Sequence, residues 1–534
     1  MTRNPSGTMQ FAGAEYELKL VSRSKDLAAL YVSPFIAALA RGQPSVRSFK
    51  TAYYDTTDQA LHRAGMTLRV RREGRTFVQT LRTVSLDDGQ IRRREWQTPV
   101  STMALVPSAL ADRLPKAPRS SLDANDLRPV FTTSFRRRQR VLDIAGASVE
   151  VAFDEGVIEA GDHRVPISEI ELKLRSGAPA VLYELALQLL DHHAFKLGGQ
   201  SKANRGYALA LNAAPVSANA PATILDPEKA IGESFAQIFR AAHGHVLENQ
   251  AATEDGRDLE GVHQMRVGLR RLRSALSLLR SIAPSPTLEA LRADAEWAAS
   301  CLDDARGWDV FLAETLPEAA AGCAGNGWDH LKDAAEALRA QAYAEVRETL
   351  SAERYTRFHL MLGAWIERRA WQADGGGGSP SRFVEATASF AARALSERHR
   401  KVLKRGKHFR RLTPEARHQL RLAVKKLRYA ADFFLTALGH RRIAKRYLRR
   451  LSELQDQLGR YNDMAVTKHL VEQLLEHAPE ASARQAADII LSWQERGLID
   501  SVPTMLSAWR AFCEAELPCP SNASDVNEID GGSC

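Results

Sequence analysis

Two short segments of this 534-residue chain repeat one arrangement of charge. "EYELKL" runs from Glu15 to Leu20, and "EIELKL" from Glu169 to Leu174. In an extended strand, alternate side chains share a face. Glu15, Glu17 and Lys19 therefore lie together, as do Glu169, Glu171 and Lys173. Carboxylates placed side by side are oxygen donors suited to a hard divalent cation such as Mg²⁺, which also bridges phosphate oxygens. Other strand-like segments carry arginines at the same two-residue period: Arg69 with Arg71, Arg92 with Arg94, and Arg136 with Arg138 and Arg140. Arg82 shares a face with Val78 and Thr80. Guanidinium forks match phosphate oxygens. A closed or strongly curved sheet would gather these faces around one cavity, two strands holding a metal and the basic strands holding phosphates. By the same alternation, Arg72 and Arg137 point away from it.

The elements that must position these residues change character along the chain. From Glu15 to about residue 207 the pattern is strand-like, punctuated by glycine and polar turns, with two helical segments at 24–40 and 178–193. An alanine- and proline-rich stretch at 211–227 reads as a linker. Beyond it, nearly everything to about residue 517 is amphipathic helix, interrupted by "ADGGGGSPS" at 373–381. That glycine run lacks the lysine and hydroxyl of a phosphate-binding loop, so it reads as a connector. The expected fold class is α+β multidomain, a β-rich N-terminal domain before an all-α one. The expected limits are 11–211, a linker at 212–224, helices at 225–517 and a disordered tail at 518–534.

The helical half carries a second set of candidates. In "VHQMRVGLRRLRSALSLLR", His263, Arg266, Arg270 and Arg273 form a polar stripe beside an apolar one. His418, Arg421, Lys425 and Arg428 repeat it, each 155 positions after its counterpart. The pairs Arg306/Asp309 and Arg460/Asp463 recur 154 positions apart. This is an internal duplication, with repeats at about 225–372 and 382–517. One charged stripe is ordinarily a solvated face. The same stripe kept twice, and brought together by pseudo-twofold packing, would make a concave cationic surface for a long polyanion. The two histidines serve either as donors to phosphate or in helix packing, and their protonation would strengthen anion binding.

The net charge of +9 agrees with anionic partners. Five cysteines without a CxxC pair make no disulfide framework and read as reduced residues of a cytoplasmic protein. No apolar run reaches membrane-spanning length. Nucleic acid ranks last among the anions, because no aromatic side chain interrupts the stripe between His263 and Arg273.

The ordered series "EYELK", "YYDT", "LRVRR", "FVQTLRT", "RREW", "FDEG", "EIELKL" and "SKANRGY" resembles the CYTH domains, or triphosphate tunnel metalloenzymes. That resemblance implies an antiparallel β-barrel forming a tunnel and a Mg²⁺ or Mn²⁺ cofactor. It further implies hydrolysis of inorganic triphosphate to pyrophosphate and phosphate. Glu15, Glu17, Glu169 and Glu171 would bind the metal, and Glu15, Glu17 and Lys19 would be catalytic. Arg69, Arg71, Arg82, Arg94, Arg136, Arg138, Lys202 and Arg205 would hold substrate along with Lys19. Arg82 stands where relatives commonly have lysine. Gln97 stands where they often have an acid, and it is left out of the metal set. Asp154 is either a turn cap or a ligand.

The duplicated stripe resembles a CHAD domain, the helical module often found after CYTH and associated with polyphosphate. By that resemblance His263, Arg266, Arg270, Arg273, His418, Arg421, Lys425 and Arg428 bind polyphosphate, with polyphosphate granules as an associated location. Arg306 and Arg460 would either join them or pair with Asp309 and Asp463. Two rival readings stand beside this one. One is a polyphosphate-binding protein without turnover. The other is a tunnel enzyme acting on an organic triphosphate, as a thiamine triphosphatase or an adenylate cyclase.

Overall fold

The computed structural model describes residues 9–11, 16–22, 24–87, 90–106, 126–321, 327–373, 383–439, 441–478 and 480–518. Glu15, the glycine run and the C-terminal tail lie outside the described residues. Two compact units divide the chain: residues 1–215 with 352–364, and residues 216–351 with 365–534.

The first unit is built on ten strands: β1 (Met9–Phe11), β2 (Glu17–Ser22), β3 (Ala40–Asp55), β4 (Met66–Glu73), β5 (Thr76–Asp87), β6 (Gln90–Val100), β7 (Arg128–Ile144), β8 (Ala147–Ala160), β9 (His163–Ser176) and β10 (Phe195–Leu197). They form one antiparallel sheet in the order β1-β6-β5-β4-β3-β7-β8-β9-β2-β10. The antiparallel arrangement matches the expectation. Among the described residues the ladder runs from β1 to β10.

Five helices pack on this sheet: α1 (Ser24–Tyr31), α2 (Pro34–Leu39), α3 (Ala60–Arg63), α4 (Ala180–Leu190) and α5 (Lys202–Leu211). The helical segment at 24–40 breaks in two because Pro34 cannot continue α1. Pro34 instead begins α2, with Ser33 accepting a hydrogen bond from Ile36 N as its cap. The tight hairpin between β7 and β8 turns at Ala145 and Gly146, both at positive φ (50° and 77°). That turn pairs Ile144 with Ala147 and fixes every later pairing in the two strands.

The second unit is helical. Its first repeat contains α6 (Ile231–Asp255), α7 (Leu259–Arg280), α8 (Pro286–Ser300), α9 (Asp303–Val310), α10 (Leu316–Ala320) and α11 (Gly327–Ser351). Helix α12 (Glu353–Arg368), whose residues up to 364 belong to the first unit, follows in the chain, and then α13 (Thr387–Gly406), α14 (Pro414–Phe434), α15 (Arg441–His477), α16 (Ala481–Asp500) and α17 (Val502–Cys513). The duplication read from the stripes is visible in the helices themselves. Shifted by 155 positions, Asp258, the N-cap of α7, falls on Thr413, the N-cap of α14. The repeats meet at their starts through an antiparallel bridge between Ala230 and Ala386. A hydrogen bond of 2.7 Å between Ser234 Oγ and Thr387 Oγ1 stands beside it. Apolar side chains of the stripe, including Met265, Leu269, Leu272, Leu276 and Leu279, are buried.

The expected linker is only partly free-running. Ser217 N donates to Asp258 Oδ2 (2.9 Å) and Ala218 N to Asn249 Oδ1 (2.9 Å), while Leu225 is buried. Residues 216–225 thus form an extended strap on α6 and α7. An alanine- and proline-rich composition hides this role, because the strap is held largely through its backbone.

Helix α5 lies against β7, β8 and β9 with almost no room to spare. A Cβ on Gly206 would overlap the ring of Phe131, which stacks on Tyr53. Gly206→Ala is expected to cost about 1–3 kcal/mol in urea unfolding followed by circular dichroism, the usual penalty of overpacking. An unchanged unfolding midpoint would contradict this docking.

Candidate functional site

Register decides which side chains meet. Lys19 pairs with Glu171 across β2 and β9, Glu169 with Asp154 across β9 and β8, and Asp154 with Arg137 across β8 and β7. The same face continues through Phe135, Phe49, Thr51 and Tyr53 to Arg69 and Arg71, and then to Thr80, Arg82, Glu95 and Gln97. One sheet face therefore carries an acidic group at β8, β9 and β2, and a basic group at β4 and β5. Lys173 belongs to this face too, opposite Glu17.

The acids are tightly compensated. Lys202, at the first turn of α5, lies 2.7 Å from Asp154 Oδ2, 2.8 Å from Glu171 Oε1 and 3.5 Å from Glu169 Oε2. Lys19 adds contacts of 3.4 Å to Glu169 and 3.3 Å to Glu171. Arg205, one turn along α5, donates to Glu169 Oε1 (3.2 Å) and to Pro166 O (2.6 Å). Arg137 makes a two-pronged bond to Asp154 (2.7 and 2.6 Å) and also donates to Glu171. Asp154 and Glu169 are fully buried.

Burial alone would raise the Glu171 carboxyl, yet it sits far below the ordinary 4.5 because Lys202, Arg137 and Lys19 outweigh that effect. Burial likewise opposes the charge on Lys202, yet Glu171, Asp154 and Glu169 hold its pKa above the ordinary value. Glu17, at the exposed margin, moves the other way. Its carboxyl is raised, first by desolvation and then by the neighbouring Glu171 charge.

At the basic end, Glu95 accepts from Arg82 (2.8 and 2.6 Å) and lies 3.8 Å from Arg69. Arg71 is held by Thr51 Oγ1 (3.4 Å) and lies over the Phe49 ring. Burial and the adjacent Arg69 push its pKa down to about 10, so it keeps its charge at neutral pH.

The structure corrects part of the expected set. Arg94, Arg136 and Arg138 lie on the opposite face of the sheet. Arg138 pairs with Phe153, bonds Glu155 and lies over the ring of Tyr31 in α1. Arg136 pairs with Glu155 and is exposed, and Arg94 pairs with Thr83 beside the Leu81–Trp96 pair. Arg137, expected to point away, is the arginine that meets the acids. Three consecutive arginines hide the choice of parity, and counting back from the Ala145–Gly146 turn resolves it. Asp154 caps no turn; it is the counter-ion of Arg137 and Lys202. Glu95, absent from the expected set, is the acid of this end of the face, bonded by Arg82 and Gln97. Tyr53 and Tyr54 are buried in the apolar clusters and Trp96 packs against one of them, as packing residues should.

Carboxylate oxygens are the right chemistry for a hard cation. Among the described residues no group of three or more His, Cys, Asp or Glu side chains is arranged to hold one, and Asp154, Glu169 and Glu171 are engaged by Lys19, Arg137, Lys202 and Arg205. Glu169 Oε2 is buried without a hydrogen-bond partner. That oxygen is held only by the ammonium groups of Lys19 and Lys202, at 3.4 and 3.5 Å, an arrangement that fits a cation replacing ammonium contacts.

The second candidate surface lies in the helical unit, where α7 packs on α14. Lys425 is pushed down to about 8, by burial and then by Arg270, Arg421, Arg273 and Arg266. The two stripes therefore share one local field. Arg266 bonds Asp303 (2.6 Å), Arg273 bonds Glu296 (2.5 Å), and Arg428 reaches Asp432 at 3.9 Å. Arg270 Nε is buried without a hydrogen-bond partner. Half-buried His263 is held below its usual pKa by burial and then by Arg306, so it is neutral at neutral pH. His418 is exposed. Arg306 does not pair with Asp309, whose carboxylate is taken by Arg339 (2.7 Å) and Tyr343 (2.8 Å). Asp463 lies near Arg421 and Arg460.

Family models match the chain twice: the CYTH domain over residues 13–207 and the CHAD domain over 237–472. A Haemophilus influenzae protein named inorganic triphosphatase is 34% identical over 158 residues, covering 29% of this chain. The match spans 44% of that protein's length. An uncharacterized Mycobacterium tuberculosis protein is 26% identical over 484 residues, covering 85% of this chain and 88% of its own. The solved CHAD domain from the plant Ricinus communis is 31% identical, with a TM-score of 0.49. It covers 56% of this chain and 98% of that one. No helix among the described residues is long and apolar enough to cross a membrane.

The acid cluster carries a pH signature. Glu171 is depressed in the fold, so its stabilisation is present above about the ordinary 4.5 and is lost as pH falls further. Lys202→Met is expected to destabilise the protein at pH 7 by roughly 1–3 kcal/mol, since Lys19, Arg137 and Arg205 remain. It should also flatten the acid-side loss, both read from urea midpoints across pH. A variant with wild-type stability and slope would refute this compensation.

Proposed function

Because the chain carries a CYTH domain followed by a CHAD domain, we propose that its first unit hydrolyses inorganic triphosphate and its second binds inorganic polyphosphate. The observation that carries the first half is the single sheet face on which a buried carboxylate cluster and a row of arginines are set side by side. Arg69, Arg71 and Arg82, with Lys19, Arg137, Lys202 and Arg205, neutralise the phosphate oxygens and hold the chain in place. Glu17, Glu169 and Glu171, with Glu15 from the sequence, would hold a divalent cation. When bound, that ion supplies charge neutralisation and an acidified water. Water oxygen attacks the terminal phosphorus while the bond to the bridging oxygen breaks. Pyrophosphate leaves with that electron pair, and the proton released from water passes to solvent. Lys202 and Arg205 have a double role, as counter-ions of the acids at rest and as ligands of the incoming anion. The named activity of the Haemophilus protein supports this choice of substrate.

For the helical unit, the supporting observation is the field shared by Arg266, Arg270, Arg273, Arg421 and Lys425 across α7 and α14. Cations gathered at this density are stabilised by a polyanion that threads between them.

Phosphate release should be measured from inorganic triphosphate, ATP and thiamine triphosphate, with Mg²⁺ and with chelator. The reading expects metal-dependent release from inorganic triphosphate above the other two. Glu17→Gln should lower that rate roughly hundredfold or more with the circular dichroism unchanged. Release that ignores both chelator and the substitution would sink the assignment. Polyphosphate affinity should hold below pH 8 and weaken a few-fold above it as Lys425 loses its proton, since only the charged form adds a phosphate contact. Lys425→Arg should abolish that decline, and an identical pH profile in the variant would exclude Lys425 from the contact.

A further inference from the structure

The two repeats use the same face of their first helical hairpin in opposite ways. In the first repeat, the strap at 216–225 covers the hairpin formed by α6 and α7. His245 Nε2 and Asn249 Nδ2 both donate to Ala218 O (2.9 and 3.0 Å). Arg271 Nη2 donates to Thr223 Oγ1 (3.4 Å). His245 and Asn249 are consequently buried, together with Val246.

Shifted by 155 positions, these residues fall on α13 and α14. His245 becomes Arg400, Val246 becomes Lys401, Asn249 becomes Lys404, and Arg271 becomes Lys426. All four of these cations are exposed, and among the described residues none has an acidic partner. Arg398, Arg405 and, from α8, Arg292 add to the charge around Lys426, whose pKa is lowered first by burial and then by Lys401 and Arg405. Where the first repeat seats an extended peptide through His245, Asn249 and Arg271, the second, among the described residues, leaves the matching face exposed and lines it with ammonium and guanidinium groups. Lys426 is the chain neighbour of Lys425, so this face begins where the surface shared by α7 and α14 ends.

We propose that the outer face of α13 and α14, centred on Arg400, Lys401, Lys404 and Lys426, is a second anion-binding track that holds the continuation of a long linear polyphosphate. The proposal rests on the reading that the helical unit binds polyphosphate. An extended chain suits this face because its counterpart already holds one. Unpaired cations suit a polymer with charge at every unit, and binding by such contacts falls with salt in proportion to their number. Short chains would fill the surface between α7 and α14 alone, and long chains would round α14 and engage both.

The test compares full-length wild type with Arg400→Gln/Lys404→Gln/Lys426→Gln, and with a control, Arg270→Gln/Lys425→Gln. Each is titrated with a short and a long fraction of sodium polyphosphate at several salt concentrations. Circular dichroism confirms that each variant is folded. The triple variant is expected to bind the long fraction about tenfold more weakly, with its logarithmic salt slope reduced by about two to three. Its affinity for the short fraction should match wild type, whereas the control should lose both. Arg400→Lys added to wild type should keep long-chain binding. Unchanged long-chain affinity and slope in the triple variant, with wild type binding both fractions, would overturn the second track and leave the first reading intact. Wild type that binds neither fraction would overturn that reading and this proposal together. Tighter binding of single-stranded RNA than of long polyphosphate, lost in the triple variant, would reassign the face to nucleic acid.

Discussion

Charge held out of water must be answered by charge, and that constraint organises this molecule. Asp154, Glu169 and Glu171 lie on adjacent strands of one sheet face, two of them fully buried. Carboxylates in that position would neutralise by taking up protons unless cations stood within contact distance. Lys19, Arg137, Lys202 and Arg205 supply them. Two of those four ride on α5, which is why the close fit of Gly206 against Phe131 matters to the site. The packing of one helix sets the electrostatic balance of the whole face. The proposed function rests on that balance, because groups that satisfy each other at rest can also satisfy a metal ion and a phosphate chain.

The helical unit shows the reverse condition. There the cations outnumber the acids around them, and the charge is tolerated because the groups sit at a partly solvated helix seam. Duplication made this economical. One stripe on a helix face is weak, but two copies packed as α7 against α14 add their fields at Lys425. The copies then diverged in the side chains of that face: His245, Val246 and Asn249 lie under the strap in the first, and Arg400, Lys401 and Lys404 are exposed in the second.

Much of this was legible in the sequence, and the failures have a common cause. Period alone placed Glu17, Lys19, Glu169 and Glu171 on one side of two strands, and the 155-residue offset exposed the repeats. Which parity faces the acids is not contained in a run such as "FRRRQR". It is set by the turn at Ala145–Gly146, which puts Arg137 rather than Arg136 or Arg138 opposite Asp154. Glu95 and Asp154 are single acids whose roles appear only when a partner strand brings an arginine opposite. Asp309 looked like a partner for Arg306 because the pair recurs. Its true partners, Arg339 and Tyr343, come from a helix further along the chain. The strap was read as a linker because backbone hydrogen bonds leave no mark on composition.

The central claim is that the carboxylate-and-arginine face of the sheet cleaves one terminal phosphate from triphosphate. The most direct measurement is phosphorus NMR of inorganic triphosphate incubated with the full-length protein and Mg²⁺. The account predicts that the triphosphate signals decay while pyrophosphate and phosphate appear in equal amounts. Triphosphate signals that persist unchanged, with the protein folded and the metal present, would contradict it.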